Sequence, residues 1–257
     1  MLGKYVSTGV IAPIGKTDAN GFVYPLNYAK INHYQDEYAY IYGVDHAVDY
    51  FDGRVVAGLI PTSKNGKKPI WIVARKDSRP INIDILEEIN MDNFPDYRLK
   101  CLYETSCGAV VYRYINGQVR YLMIKNKRSK YWGWPKGHME RGETRYDTAK
   151  REVLEETGLH IKIHSGYEGK SRYSLSDCTQ KVVYIYAAST EDTRTIIQDE
   201  EIDDYVWVPY QTAMSMLKFQ NDRRILKNAV RYLHRKKYIE NLIADKEKKI
   251  QAKKHGA

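Results

Sequence analysis

The sequence predicts two folded units in succession: an all-β barrel with a short helix, then an α/β unit whose mixed sheet lies between helices. Three observations lead there. The 257 residues exceed the usual size of one compact domain, which favours two modest cores. Residues 5–75 read as short strands broken by turn formers, at Pro13, Gly15, Gly21, Pro25, Gly43, Asp52-Gly53 and Asn65-Gly66. From Cys107 onward, β-rich runs alternate with helical ones, the signature of a layered α/β unit.

Taken in order, the barrel strands end before a helix over 81–91, where Ile81, Ile85, Leu86 and Ile89 share one face and Asn93, Pro95 and Asp96 stop it. The connection between units is expected within 92–100, giving a first domain of 1–95 and a second of 101–235. The second opens with the apolar run from Cys107, a hairpin signal at Asn116-Gly117 and a further run from Val119. A helix is expected over 144–157, closed by Gly158. Strands follow at 161–164, 181–187 and 205–208, then helices at 211–217 and 222–234. Residues 236–257 read as a basic helical tail.

Composition bounds the partners. The chain is 43% apolar and 28% charged, as soluble folded proteins are, and it carries 23 tyrosines. Its formal charge of +9 suits polyanions, and much of the excess lies in the tail at Arg235, Lys236, Lys237, Lys246, Lys248, Lys249, Lys253 and Lys254. A solvated helix and an RNA contact are both open for that run. Cys101, Cys107 and Cys178 are too few and too irregular for a disulfide framework or a zinc site. No stretch approaches the ~20 apolar residues of a membrane span, and the first dozen residues lack a signal peptide's features. A cytoplasmic protein with no membrane role is expected, and the oligomeric state is left open.

The segment richest in chemistry runs from Trp134-Pro135-Lys136-Gly137-His138 to Glu143, then Arg151-Glu152-Val153-Leu154-Glu155-Glu156-Thr157-Gly158. On a helix Glu152 shares a face with Glu155 and Glu156, three and four positions on. Three converging carboxylates repel unless cations lie among them, and hard oxygen ligands select Mg²⁺ or Mn²⁺. Such ions suit an electrophile that is itself anionic, a phosphoanhydride. Gly137 permits close backbone approach, Lys136 supplies a charge for phosphate, and Glu143 with Arg151 reads as an ion pair bracing loop to helix. Three acids on a helix are otherwise an ordinary solvated face.

The complete spacing decides between these readings. Gly137, five residues, Glu143, seven residues, then Arg151 to Leu159 matches every fixed position of the Nudix box. The stretch from Tyr103 to His234 therefore resembles a Nudix hydrolase. The resemblance implies an α/β/α sandwich, hydrolysis of a nucleoside diphosphate linked to another moiety, metal at Glu152, Glu155 and Glu156, and the Gly137 carbonyl as a backbone ligand. Trp132 to His138 further resembles the loop of diadenosine tetraphosphate hydrolases. Within that group the match implies a phosphate-facing Lys181, an adenine-stacking Tyr184, and Glu201 as an extra acid near the reaction centre, with Lys136 and His138 on the substrate. Each has a plain alternative: Tyr184 as packing, Lys181 as a solvated strand residue, His138 as a loop residue. A dinucleoside polyphosphate is the expected substrate; an RNA 5′-pyrophosphohydrolase and a nucleoside triphosphate pyrophosphatase are the alternatives.

The first domain carries a second resemblance. Val10-Ile11-Ala12-Pro13-Ile14-Gly15, Gly21 to Tyr28, Tyr40 to Asp45 and Phe51 to Ala57 resemble soluble inorganic pyrophosphatases, which implies an OB-like barrel. That family's acidic positions fall here on His33, Gln35 and Tyr38, with Asp36 and Glu37 out of register, so catalysis by this domain is not expected. A binding role is the alternative, with Lys64, Lys67 and Lys68 on phosphate and Tyr34, Tyr38 and Tyr40 on bases. Equally, the tyrosines belong to the core and the lysines to a solvated turn.

Overall fold

A computed structural model describes residues 1–63, 66–175 and 179–255. Lys64, Asn65 and Cys178, named above, lie outside the described residues. The chain divides into two units, Met1–Glu104 with Tyr173–Lys181, and Thr105–Arg172 with Val182–Ala257.

The first unit is built on β1 (Tyr5–Ala12), β2 (Asn27–Ile31), β3 (Tyr38–Ile41), β4 (Tyr50–Pro61) and β5 (Ile70–Ala74). They close into a five-stranded barrel in the order β1-β2-β3-β5-β4, with β4 returning to β1 and only the β3–β5 pairing parallel. The twelve residues of β4 pair with three strands. Along one edge Tyr50 to Arg54 pair with β1 and Ala57 to Pro61 with β6 (Tyr97–Cys101), while Arg54 to Leu59 pair with β5 across a register shift between Val55 and Ala57. Gly53 sits where β4 crosses closely over β5: a Cβ there would stand 2.4 Å from the Ala74 carbonyl oxygen.

Side chains alternate across the strands. Val6, Ile31, Ala39, Val55, Trp71 and Val73 form one cluster. The intervening residues Tyr40, Val56, Leu59 and Ile72 form another with Ile85 of helix α1 (Asn82–Glu88) and Ile89 at its C-cap, which lie on one apolar stripe. Residues 92–100, expected as a connection, instead finish a 3-10 turn (Met91–Asn93) and supply β6. The competing element was tertiary pairing, which short alternating sequences such as Tyr97–Cys101 do not announce.

In the second unit β7 (Tyr103–Ile115), β8 (Gln118–Asn126), the short β9 (Trp132–Gly133) and β10 (Lys136–His138), helix α2 (Arg145–Thr157), β11 (Lys162–Ser174), β12 (Gln180–Ser189) and β13 (Ile202–Val208) precede helices α3 (Tyr210–Met216), α4 (Gln220–Arg235) and α5 (Tyr238–His255). The sheet order is β11-β12-β7-β8-β13. Its two faces are apolar alternately, as burial between helix layers requires. Val110, Tyr112, Met123, Val183 and Ile185 pack against Ile225, Leu226, Ala229 and Leu233 of α4. Ala109, Val111, Leu122 and Ile124 pack with Val153 of α2. That arrangement is an α/β/α sandwich. The hairpin at Asn116-Gly117 joins β7 to β8 with both residues at positive φ, as its sequence demands. Strand β11 runs ten residues beyond the expected 161–164, because Gly166 and Gly169 weaken its strand pattern; Gly169 lies against Tyr167 and Ile225 where a Cβ would not fit. The basic tail is helical and its first turns are anchored: Ile239 is buried, Leu242 and Ile243 pack on the core, and the Tyr238 ring lies 4.2 Å from that of buried His164.

Replacing Gly53 with alanine is expected to lower unfolding free energy by about 1–3 kcal/mol through overpacking against β5, read as a reduced urea midpoint at unchanged slope.

Candidate active site

The site is assembled where β10 meets β7 and α2. β10 pairs Lys136 with Gly108, Gly137 with Cys107 and His138 with Ser106. A Cβ on Gly108 would stand 2.1 Å from the Pro135 carbonyl oxygen, so glycine is what admits the loop. Helix α2 is fixed at both ends. Thr144 accepts from the Asp147 backbone N–H while Asp147 accepts from Thr144 N–H, a reciprocal capping box, and Gly158 closes the last turn at φ 67°. Within this frame Glu152 lies directly over Gly137, whose missing Cβ would otherwise stand 2.1 Å from its carboxylate.

Arg151 organises the acids. Its Nε donates to Glu143 Oε1 at 2.5 Å, Nη1 donates to Glu152 Oε1 and Glu155 Oε2 at 2.9 Å each, and Nη2 donates to the His138 carbonyl at 2.8 Å. The expected brace between Glu143 and Arg151 is thus one arm of a wider junction. The guanidinium pulls the Glu143 carboxyl down to about 2, with Thr148 also donating to it and burial opposing.

Glu156 is placed differently. It is 4% exposed, and its Oε2 accepts from the Lys136 backbone N–H at 2.8 Å. Burial pushes its carboxyl up to about 8, against the pull of the Lys136 charge and that hydrogen bond. Burial also raises Glu152, with Arg151 opposing. Glu155 stays largely exposed. Glu201, exposed just before β13, adds to the rise of both Glu152 and Glu156 by its negative charge.

A hard divalent cation fits this donor set. The glycine cradle over Glu152 leaves room at the backbone, and a carboxylate as buried as Glu156 favours its charged form only with a cation beside it. Among the described residues no three acidic, histidine or cysteine side chains already stand at ligand spacing: Glu152 and Glu155 turn to Arg151 and Glu156 to the Lys136 N–H.

Of the proposed substrate residues, Lys136 adjoins Glu156. His138 is exposed, and its carbonyl is held by Arg151. Tyr184 is 8% exposed, with the Arg145 guanidinium 3.9 Å and the Lys170 ammonium 4.7 Å from its ring centroid. Lys181 belongs to the first unit, where its ammonium lies 3.7 Å from Glu104. Sequence reasoning missed Arg145, Lys170 and Asp222. Burial raises the Asp222 carboxyl, in the first turn of α4, while the Lys136 charge lowers it. Its one sequence signal was an acid at a helix start, which capping explains equally well. A cavity of about 520 Å³ elsewhere in the unit, lined by Tyr112, His164 and Tyr238 among others, contains none of these acids.

Residues 106–229, most of which lie in the second unit, match the NUDIX domain family model. The chain is 34% identical over 113 residues to the 8-oxo-(d)GTP phosphatase of Mycolicibacterium smegmatis, covering 44% of this chain and 34% of that protein. It thus spans about a third of that relative's length. It is 25% identical over 138 residues to the asymmetrical bis(5′-nucleosyl)-tetraphosphatase of Mus musculus, covering 50% of this chain and 94% of that one. Among solved structures it is similar to a C. elegans Ap4A hydrolase binary complex, at 21% identity and a TM-score of 0.48, covering 51% of this chain and 98% of that one.

The raised Glu156 carboxyl has a defined sign. The folded chain holds that proton more tightly than the unfolded chain, whose glutamate titrates near ~4.3. Without metal, stability is therefore lost as pH climbs from there through about 8. Glu156→Gln removes the loss, so its melting temperature is expected to exceed the parent's near neutral and alkaline pH and to converge with it in acid. Thermal melts in chelator across that range check this.

Proposed function

We propose that the second unit is a metal-dependent hydrolase of phosphoanhydrides in nucleotide polyphosphates. The observation that carries the reading is the approach of Glu152 to Gly137 beside buried Glu156, inside the stretch that matches the NUDIX domain family model. Glu152, Glu155, Glu156 and the Gly137 carbonyl would hold Mg²⁺ or Mn²⁺. When bound, such an ion neutralises phosphate oxygens and lowers the pKa of water.

The chain's own residues supply the rest. Arg151 fixes two of the glutamates and the loop carbonyl, so the ligands keep one geometry. Lys136 brings an ammonium to the phosphate chain, with Glu156 holding its backbone N–H. Glu201 takes the proton of the attacking water as oxygen bonds to phosphorus and the bridging anhydride oxygen leaves with its electron pair. Arg145 and Lys170, over Tyr184, add positive charge for further phosphates.

For the substrate we propose a dinucleoside polyphosphate such as diadenosine tetraphosphate, supported by the Trp134-Pro135-Lys136-Gly137-His138 loop and the mouse relative. A nucleoside triphosphate is the second reading, favoured by the higher identity to the mycobacterial 8-oxo-(d)GTP phosphatase. For the first unit we propose an OB-like, non-catalytic relative of inorganic pyrophosphatases. Its strand order supports this, as do its remaining acids, which are otherwise engaged: Asp36 pairs with Lys68 at 3.4 Å, and Glu37 accepts from Trp71 Nε1 at 2.5 Å.

Turnover of diadenosine tetraphosphate, 8-oxo-dGTP, dGTP and 5′-triphosphorylated RNA, each with magnesium or manganese and with products identified, tests the reading. The dinucleotide is expected to give the largest kcat/KM; preference for a triphosphate or for RNA overturns the substrate assignment. Glu155→Gln is expected to lower kcat on the favoured substrate by about 10²–10⁴ with folding intact. Near-parental activity in that variant would overturn the metal site.

A further inference from the structure

We propose that the first unit binds single-stranded nucleic acid on the surface formed by Tyr5, Arg54, Lys76, Arg79 and Tyr103, with two guanidiniums gripping a phosphate and Tyr5 stacking a base. This goes beyond the hydrolase reading and uses none of its residues. The central observation is a like-charge pair. The buried Tyr103 hydroxyl accepts from Arg54 Nη1 at 2.9 Å and from Arg79 Nη1 at 2.7 Å, so two guanidiniums stand side by side. Arg54 is held there by a further bond from Nε to the Gly3 carbonyl at 3.0 Å. Among the described residues no carboxylate lies at ion-pair distance from Lys4, Arg54, Lys76 or Arg79; two other lysines of the unit differ, Lys67 pairing with Asp96 and Lys68 with Asp36.

Convergent cations without an acid repel, and a phosphate accepting from both forks relieves that repulsion. Tyr5 stands beside this pair, opposite Arg54 in the β1–β4 register and 56% exposed. Arg54 Cζ and Lys76 Nζ each lie 5.6 Å from its ring centroid. Cation-and-ring pairs repeat in the unit, with Arg79 5.3 Å from the Tyr103 ring and Lys4 5.4 Å from the Tyr34 ring. Repeated charges with an exposed ring fit a strand of several nucleotides better than one nucleotide. The surface differs from the alternative the sequence offered, in which Lys64, Lys67 and Lys68 met phosphate and Tyr34, Tyr38 and Tyr40 met bases: Lys67 and Lys68 are ion-paired, and Tyr40 is buried in the core.

The test is fluorescence anisotropy on the full chain with a labelled oligoadenylate bearing a 5′-hydroxyl, which offers the second unit no phosphoanhydride. Binding is expected to weaken with salt. Arg79→Ala should reduce affinity about tenfold and shrink the log–log salt slope by ~0.7, whereas Tyr5→Ala should reduce affinity about tenfold with the slope kept. Tyr5→Phe, which preserves the ring, should bind like the parent, as should Lys248→Ala/Lys249→Ala in the tail. Parental affinity in both alanine variants, loss of binding in the tail variant, or equal affinity for AMP or inorganic phosphate each overturns the proposal.

Discussion

The second unit's site depends on one guanidinium. Arg151 touches the acid that precedes α2, two acids within α2 and the carbonyl of His138 beyond Gly137, so loop and helix are held by a single planar group. Four acceptors around one cation are energetically reasonable only because the acids are otherwise uncompensated, and the fork geometry of arginine satisfies several at once where lysine would not. Everything nearby is shaped to let the junction form. Gly108 admits the loop, Gly137 admits Glu152, and the capping box fixes the first turn of α2, one turn ahead of Arg151. Losing any one of these moves the carboxylates relative to the loop backbone, which is the relation on which the proposed chemistry rests.

How much of this was legible in the sequence depends on the range of the interactions. Helix α2 and its glycine cap were read correctly to within a residue because capping, periodicity and charge spacing are local. The hairpin at Asn116-Gly117 was legible for the same reason. Strands β6, β9 and β10 were not, since each is short and exists through pairing with a distant partner. Among site residues the same division holds. Glu152 and Glu156 were found by spacing, but that one is pressed onto glycine and the other buried against the Lys136 N–H is tertiary information. Asp222 could not be tied to Lys136, 86 positions away in the chain. The Tyr184 ring was identifiable as a ring on a strand; the Arg145 and Lys170 charges on it were not, because they arrive from α2 and β11.

In the first unit the lesson runs the other way. The sequence offered Lys64, Lys67 and Lys68 with Tyr34, Tyr38 and Tyr40 as one alternative, a polyanion surface, and core tyrosines with solvated lysines as the other, because charge in a sequence says nothing about whether an acid answers it. Asp96 and Asp36 answer Lys67 and Lys68, and Tyr40 faces the cluster around Ile85. Arg54 and Arg79, which among the described residues have no acid at ion-pair distance, come from separate segments, β4 and the stretch after β5, and buried Tyr103, within the first unit, gathers the two guanidiniums. Holding two positive groups on one phenol oxygen is a cost to the fold in isolation. Such a cost persists most readily where something outside the fold offsets it.

Glu156 carries the same logic with the opposite sign. A carboxyl this buried, with its pKa at about 8, is mostly protonated at neutral pH when the chain is alone. An apolar residue of similar size would pack at less cost, so packing does not explain the choice. A divalent cation at the proposed site would have to displace the proton, so its uptake would release a proton and its affinity would increase as pH rises towards that value. Glu143 behaves as a control within the same cluster. Its partner, Arg151, is permanently charged, so its carboxyl is held near 2 and contributes no such dependence around neutrality. The two glutamates thus divide the work by environment: one is locked ionised to position the loop, and the other becomes ionised when a cation is there to share its charge.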